Sequence, residues 1–176
     1  MKKNLFAALF ATTILLCPYN YAKAGAAYDT DSDLFNNKGT DTVQVLSHAK
    51  GKVYITPKDV ELMAKVVYAE SCGEPYEGKV AVASVILNRA KDPSFPKSIE
   101  GVIKQPRAFS CVRNGEIRVK PDESSYNAVV EALKGKDPTN SALFFYNPQI
   151  ATSKWMKNIG KKNLKPIGNH VFFIAN

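Results

Sequence analysis

Histidine is nearly absent from this sequence, with His48 and His170 its only two. A hydrolytic zinc centre usually takes three protein ligands from His, Cys or carboxylate side chains. His48 falls in a stretch that reads as a linker, so the composition argues strongly against a metal centre, and no cofactor is implied. Gly-rich phosphate loops of the Walker or dinucleotide kind are missing as well. No basic run interleaved with aromatics marks a nucleic-acid groove. Long apolar runs are also scarce: the one candidate, over residues 5–16, is followed by Pro18, Asn20 and Lys23. It falls short of the ~20 residues a bilayer-spanning helix needs.

That run follows Lys2 and Lys3 and precedes Ala22-Lys23-Ala24, the pattern of an export signal cleaved ahead of Gly25. Leu16 stands where lipoprotein signals have a small residue, so lipidation of Cys17 is not expected. The reading is therefore an exported protein without a lasting membrane anchor, acting in the periplasm, the wall or the exterior. Removing residues 1–24 takes away Lys2, Lys3 and Lys23 and no acid, so the formal charge falls from +8 to +5. A basic domain attracts polyanions without identifying them. Two of the three cysteines, Cys72 and Cys111, survive processing. An oxidising compartment lets them pair, but sequence does not supply the distance that pairing requires.

A chain of 176 residues suits one ordinary domain. Residues 25–52 carry Asp, Asn, Gly, Thr and Ser without a sustained period and read as a mobile leader, which leaves one folded domain over 53–176. Thr56 as cap, Pro57 at the first helical position and Asp59 near the positive end of the dipole predict a helix over 57–70. Ser71-Cys72-Gly73 breaks it, and Val80, Ala83, Leu87 and Ala90 share one face of a second helix over 76–91. Ser98 caps a short helix ending near Lys104. Asn114-Gly115 centres a hairpin over 109–119. Asp122 or Ser124 opens a further helix, with Tyr126, Val129, Val130 and Leu133 inward and Gly135 at its stop. The aromatic and β-branched runs 142–146 and 170–174 are natural partners in a small antiparallel sheet. The fold class is helix-dominated α+β.

The segment Glu70-Ser71-Cys72-Gly73-Glu74-Pro75-Tyr76-Glu77-Gly78 holds three carboxylates at a helix junction. Glu70 shares a stripe with Met63, Val66 and Val67, the face that turns to the core. Glycosidic cleavage needs a carboxyl still protonated near neutral pH, and partial burial favours that form. On spacing alone, a helix-end carboxylate satisfied by a buried partner explains Glu70 equally well. Glu74 and Glu77 lie in or just after the break, where solvent-facing, capping or structural roles are expected. Tyr146 at a strand end offers a sugar both a flat face and a hydroxyl, and Trp155 is a second platform.

Several ordered segments carry a resemblance: Val67-Tyr68-Ala69-Glu70, Gly73-Glu74-Pro75-Tyr76-Glu77-Gly78-Lys79-Val80-Ala81-Val82-Ala83 and Val85-Ile86-Leu87-Asn88-Arg89. Pro93-Ser94-Phe95-Pro96, Gly101-Val102-Ile103, Gln105-Pro106, Phe109-Ser110, Phe145-Tyr146-Asn147-Pro148 and Ile167-Gly168-Asn169-His170-Val171-Phe172 follow. Together they resemble the SleB/CwlJ family of cell-wall hydrolases, known from spore cortex-lytic enzymes, over nearly the whole predicted domain. The resemblance implies a lysozyme-like or resuscitation-factor-like catalytic domain acting on peptidoglycan between N-acetylmuramic acid and N-acetylglucosamine. It makes Glu70 the catalytic glutamate, and implies a lytic transglycosylase in which this one residue serves as acid and then base. Ser110 is then placed to bond Glu70 or substrate and Phe109 to line the groove floor, with core packing the alternative for Phe109. Tyr76 and Glu74 are taken as further substrate contacts, and His170 as a structural hydrogen-bonding residue. If the family fold brings Glu70 and Ser110 together, a disulfide between Cys72 and Cys111 near the groove is one outcome, and two independent buried thiols the other. Wall-binding repeats are not seen ahead of the domain, so cortex is not preferred over vegetative wall as substrate.

Alternatives stay open at this level. A muramidase-type hydrolase uses water with a second carboxylate across the sugar. A cysteine-dependent wall peptidase uses Cys72 or Cys111 with His170, but needs a thiol of lowered pKa that nothing nearby suggests. A non-catalytic module merely holds glycan. The partner expected is the peptidoglycan strand, with no nucleic acid, and the chain is expected to act as a monomer.

Overall fold

A computed structural model describes residues 44–48 and 51–176; the expected export signal with Cys17, and the leader as far as residue 43, lie outside the described residues. The stretch read as the end of the leader holds β1 (Gln44–His48), which pairs antiparallel with β2 (Gly51–Ile55). Val53 and Ile55 are buried while Tyr54 between them is 60% exposed. This alternation is too short to stand out in sequence, yet it pins β2 to the core, so the folded unit begins ahead of residue 53.

α1 (Pro57–Ser71) starts as its residues predict. Thr56 Oγ1 accepts from the Asp59 amide at 3.2 Å, and the Asp59 carboxylate accepts from the Thr56 amide at 2.9 Å. This reciprocal box satisfies donors that the first turn leaves without partners. α2 (Tyr76–Lys91) is the central helix, with residues 78–87 all buried. It packs against α1, α3 (Ile99–Ile103) and α4 (Glu123–Leu133). Each fully buried Val or Ile along it contributes about 1.5–3 kcal/mol. Asp122, not Ser124, caps α4, accepting from the Ser125 amide at 2.7 Å. Its other carboxylate oxygen takes Lys79 Nζ at 3.1 Å, so one residue caps α4 and ties it to α2.

The two predicted strands are β3 (Phe144–Tyr146) and β5 (His170–Ala175), paired antiparallel with Phe145 opposite Phe172. A third strand, β4 (Lys161–Ile167), completes the order β3-β5-β4 and follows the short helix α5 (Lys154–Asn158). Lysines and Pro166 hide β4 in the sequence, but both suit an edge strand, where one backbone side faces solvent. The predicted hairpin over 109–119 is only a turn. Asn114 and Gly115 have φ of 52° and 78°, and one bridge joins Arg113 to Glu116. Its flanks do not extend because Ser110 and Cys111 bond elsewhere.

One tie between the helices and the sheet lies at the α1–α2 break. Glu74, in the α1–α2 break, accepts from the Asn169 amide at 2.8 Å and from Asn169 Nδ2 at 3.2 Å in the β4–β5 turn. Gly168 reaches that turn with φ of 58°, and a Cβ there would overlap Glu74 Oε2 and lie 2.7 Å from Pro75 Cδ. Among the described residues no helix is long and apolar enough to cross a membrane. Gly168→Ala is expected to lose about 2–3 kcal/mol through strained backbone and lost closure. Thermal melting checks it; an unchanged midpoint would show that the junction does not depend on this close approach.

Candidate active site

Glu70 lies in the last turn of α1, half-buried, its position following from the stripe it shares with Val66 and Val67. The residues after Pro106 turn back across it. Arg107 adopts φ of 64°, redirecting the chain so that Ser110 Oγ donates to Glu70 Oε1 at 2.9 Å and the Cys111 amide donates to the same oxygen at 3.1 Å. Both bonds fall on Oε1, which orients the carboxylate and leaves Oε2 free of these two donors. Ser110 is thus brought to Glu70 across 40 residues of sequence.

The pairing left open for Cys72 and Cys111 is not made: the Cys111 thiol is free. The reason is local. Its amide is committed to Glu70, and the thiol itself bonds that carboxylate, so it turns toward Glu70. Burial first, then the Glu70 charge and hydrogen bond, push the Cys111 thiol pKa well above its ordinary value. Such a group stays an S–H, the opposite of an activated nucleophile.

Phe109 is 3% exposed, which fits the core-packing alternative. Its ring packs against Phe145 at 6.4 Å and lies under the Arg89 guanidinium at 5.1 Å. Glu74 is engaged by the fold: its side chain is only 7% exposed and its oxygens are bonded by Asn169. Tyr76 donates its hydroxyl to Glu131 Oε1 at 3.2 Å, tying α2 to α4. Burial, then Glu131, push the Tyr76 pKa up to about 12. Tyr146 is half-buried, edge-on to Phe173 at 5.8 Å and covered by Lys161 Nζ at 5.5 Å. Trp155, half-buried on α5, packs on Phe144 at 5.6 Å. Around Glu70 the structure thus gathers Ser110 and Cys111, while Tyr76, Glu74, Phe109, Tyr146 and Trp155 have packing or tethering partners of their own.

Two ionisable neighbours, Arg89 and His170, were not among the expected site residues. Arg89 is buried at 6% exposure, with Nε donating to the Leu143 carbonyl at 2.7 Å. Its guanidinium lies 5.1–5.5 Å from the rings of Phe95, Phe109 and Phe144. Burial lowers its pKa to about 10, against an opposing pull from the Glu70 charge, so it remains a cation at neutral pH. The signal was available: Val82, Val85, Ile86 and Arg89 share a helix face, and a cation on an apolar stripe is as anomalous as Glu70. His170 was expected to be a structural hydrogen-bonding residue. Instead Nδ1 is buried without a hydrogen bond, 3.8 Å from Glu74 Oε1, and the ring stands edge-on to Phe145 at 5.3 Å. Among the described residues no group of three or more His, Cys, Asp or Glu is placed to hold a metal ion.

Comparison with known proteins adds an independent line. A family model described as Cell Wall Hydrolase matches residues 73–173. The spore cortex-lytic enzyme of Bacillus cereus is 43% identical over 155 residues, covering 86% of this chain and 59% of that protein. The spore cortex-lytic enzyme of Bacillus subtilis is 48% identical over 114 residues, covering 65% and 37% respectively. The chain therefore spans between about a third and three-fifths of the length of these relatives. Among solved structures, the catalytic domain of the Bacillus cereus SleB protein matches with a TM-score of 0.60 at 49% identity, over 67% of this chain and 91% of that one. The catalytic domain of the germination-specific lytic transglycosylase SleB from Bacillus anthracis gives 0.62 at 48%, over 68% and 96%.

Burial holds the His170 pKa below its ordinary 6.5, with the Glu74 and Glu70 charges opposing. As pH falls through that value the unfolded chain takes up the proton first, so stability present above it is lost on acidification toward the lower folded pKa. Melting temperatures measured from neutral to mildly acid pH are expected to fall more steeply for the native chain than for His170→Gln. Parallel curves would show that His170 does not contribute.

Proposed function

The chain belongs to the cell wall hydrolase family, and on that premise we propose that it cuts peptidoglycan glycan strands outside the cytoplasm as a lytic transglycosylase, with Glu70 as the single acid and base. The observation that carries this reading is the grip on Glu70 Oε1 by Ser110 and the Cys111 amide, which aims one half-buried carboxyl without the help of a second. Oε2, which neither of these two donors engages, is the oxygen left to exchange a proton with the substrate.

In the first step Glu70 gives this proton to the oxygen linking N-acetylmuramic acid to N-acetylglucosamine. The bond from that oxygen to the muramic acid C1 breaks, positive charge develops at C1, and the carboxylate left behind stabilises it. In the second step Glu70 removes the proton from the muramic acid 6-hydroxyl, whose oxygen bonds to C1. The products are a 1,6-anhydro end and a free 4-hydroxyl, and Glu70 is again protonated. An intramolecular hydroxyl stands in for water at high effective concentration, so one acid/base suffices.

A hydrolase using water needs a second carboxylate across the sugar. The neighbouring acids are poorly suited to that role, since Glu74 is locked to Asn169 and Glu77 is exposed on α2. A cysteine peptidase is disfavoured because Cys111 is buried against a carboxylate, which opposes thiolate formation.

Glu70→Gln is expected to reduce fragment release from purified peptidoglycan by roughly 10²–10⁴-fold, whereas Cys111→Ser retains cutting within a few-fold. Mass spectrometry of the native digest is expected to show anhydro ends. Reducing ends would replace the transglycosylase by a hydrolase, and loss of activity in Cys111→Ser with retention in Glu70→Gln would move the chemistry to the peptide bond.

A further inference from the structure

The positive charge of this chain is segregated along the sequence. Residues 25–137 contain as many acidic as basic side chains, 16 of each, whereas residues 138–176 contain five lysines, no arginine and no Asp or Glu. All five lie on α5 and β4: Lys154, Lys157, Lys161, Lys162 and Lys165. Over residues 53–137, five basic residues meet acids, in Lys65–Glu61, Lys79–Asp122, Lys104–Glu100, Arg118–Glu116 and Lys136–Glu131. None of the five lysines on α5 and β4 forms an ion pair with a described residue.

Lys161 serves the fold, its Nζ donating to the Ile159 carbonyl at 3.2 Å and covering Tyr146. Lys154, Lys157 and Lys162 are exposed and Lys165 is half-buried. β4 runs into the 168–169 turn that Glu74 holds, four residues beyond Glu70 in sequence. At about 3.3 Å rise per residue, Lys165 lies on the order of 10 Å along the strand from that turn, with Lys162 beyond it across a bulge. Unpaired cations therefore lead away from the end of the domain where Glu70 sits.

We propose that α5 and β4 form a binding track for the carboxylates of peptides attached to the glycan strand that Glu70 cuts. The proposal rests on the peptidoglycan reading above and deepens it. Lysine ammonium groups are compact, hydrated point charges, suited to holding carboxylates loosely while a polymer moves past. An anionic membrane is a poorer fit, because α5 has five residues and offers no amphipathic face of the length that interfacial helices use.

The test uses the full chain carrying Glu70→Gln, so that strands are bound but not cut, with Lys154→Gln/Lys157→Gln, Lys162→Gln/Lys165→Gln, or all four changes. Co-sedimentation with peptidoglycan sacculi freed of teichoic acid is expected to weaken about tenfold or more at low salt for the fourfold variant. Each pair alone should give a partial loss, and replacement by arginine should retain binding. The difference should vanish in high salt, and also on glycan strands whose peptides an amidase has removed. Unchanged retention, an equal loss on peptide-free glycan, or a loss seen only with phosphatidylglycerol vesicles would overturn the track. A native digest without anhydro ends would defeat the transglycosylase reading and leave lysine-dependent binding to sacculi intact, so the two failures are distinguishable.

Discussion

The site depends on one carboxylate being held by protein in place of water. Glu70 stands where α1 ends, and a glutamate at a helix end ordinarily swings freely. Ser110 and the Cys111 amide prevent this by gripping the same oxygen. Their own position is inherited from the core: Phe109 is buried under Arg89, so the residues that hold Glu70 are fixed by the packing immediately before them. Orientation of the carboxyl is therefore a consequence of core formation and does not require substrate.

Arg89 links this grip to the rest of the fold. A guanidinium removed from water is costly unless it finds hydrogen-bond and electrostatic partners. Here the Leu143 carbonyl accepts from Nε, three aromatic rings surround the cation, and the Glu70 charge opposes its desolvation. Those partners come from the start of the sheet, from the 95–109 segment and from the end of α1, so one residue draws three parts of the chain together. On the other side of the site, Glu74 joins the helix junction to the 168–169 turn and brings His170 beside two carboxylates. The charges around Glu70 are thus of both signs and largely buried, while the unpaired cations of α5 and β4 lie apart on the surface.

Much of the helical part was legible in sequence because its signals are local. The Thr56 cap, the break at Ser71-Cys72-Gly73 and a cap at Asp122 or Ser124 are signals that act within four residues; the structure extends the first into a reciprocal box with Asp59, ends α1 at Ser71 and uses Asp122 for the third. β4 was not legible, because its lysines and proline are tolerated only by virtue of its place at the sheet edge. The 109–119 hairpin was overread: Asn114-Gly115 does turn the chain, but whether strands follow depends on what the flanks bond to. Glu74 and Glu70 look alike in sequence, as do Phe109 and a groove-lining ring; burial by distant elements separates them.

By itself, the sequence determined which residues form helices, that a carboxylate falls on an apolar face at the end of one of them, and the ordered motifs of a cell wall hydrolase. Only the tertiary structure decided that Ser110 and Cys111 orient Glu70, that Glu74 is a tether, that Cys111 keeps its thiol, and that Arg89 and His170 border the site. The division has a physical reason. Caps and periodicity act over a few residues, whereas these roles arise from contacts spanning about 40 to 95 positions, which exist only once the core has excluded water.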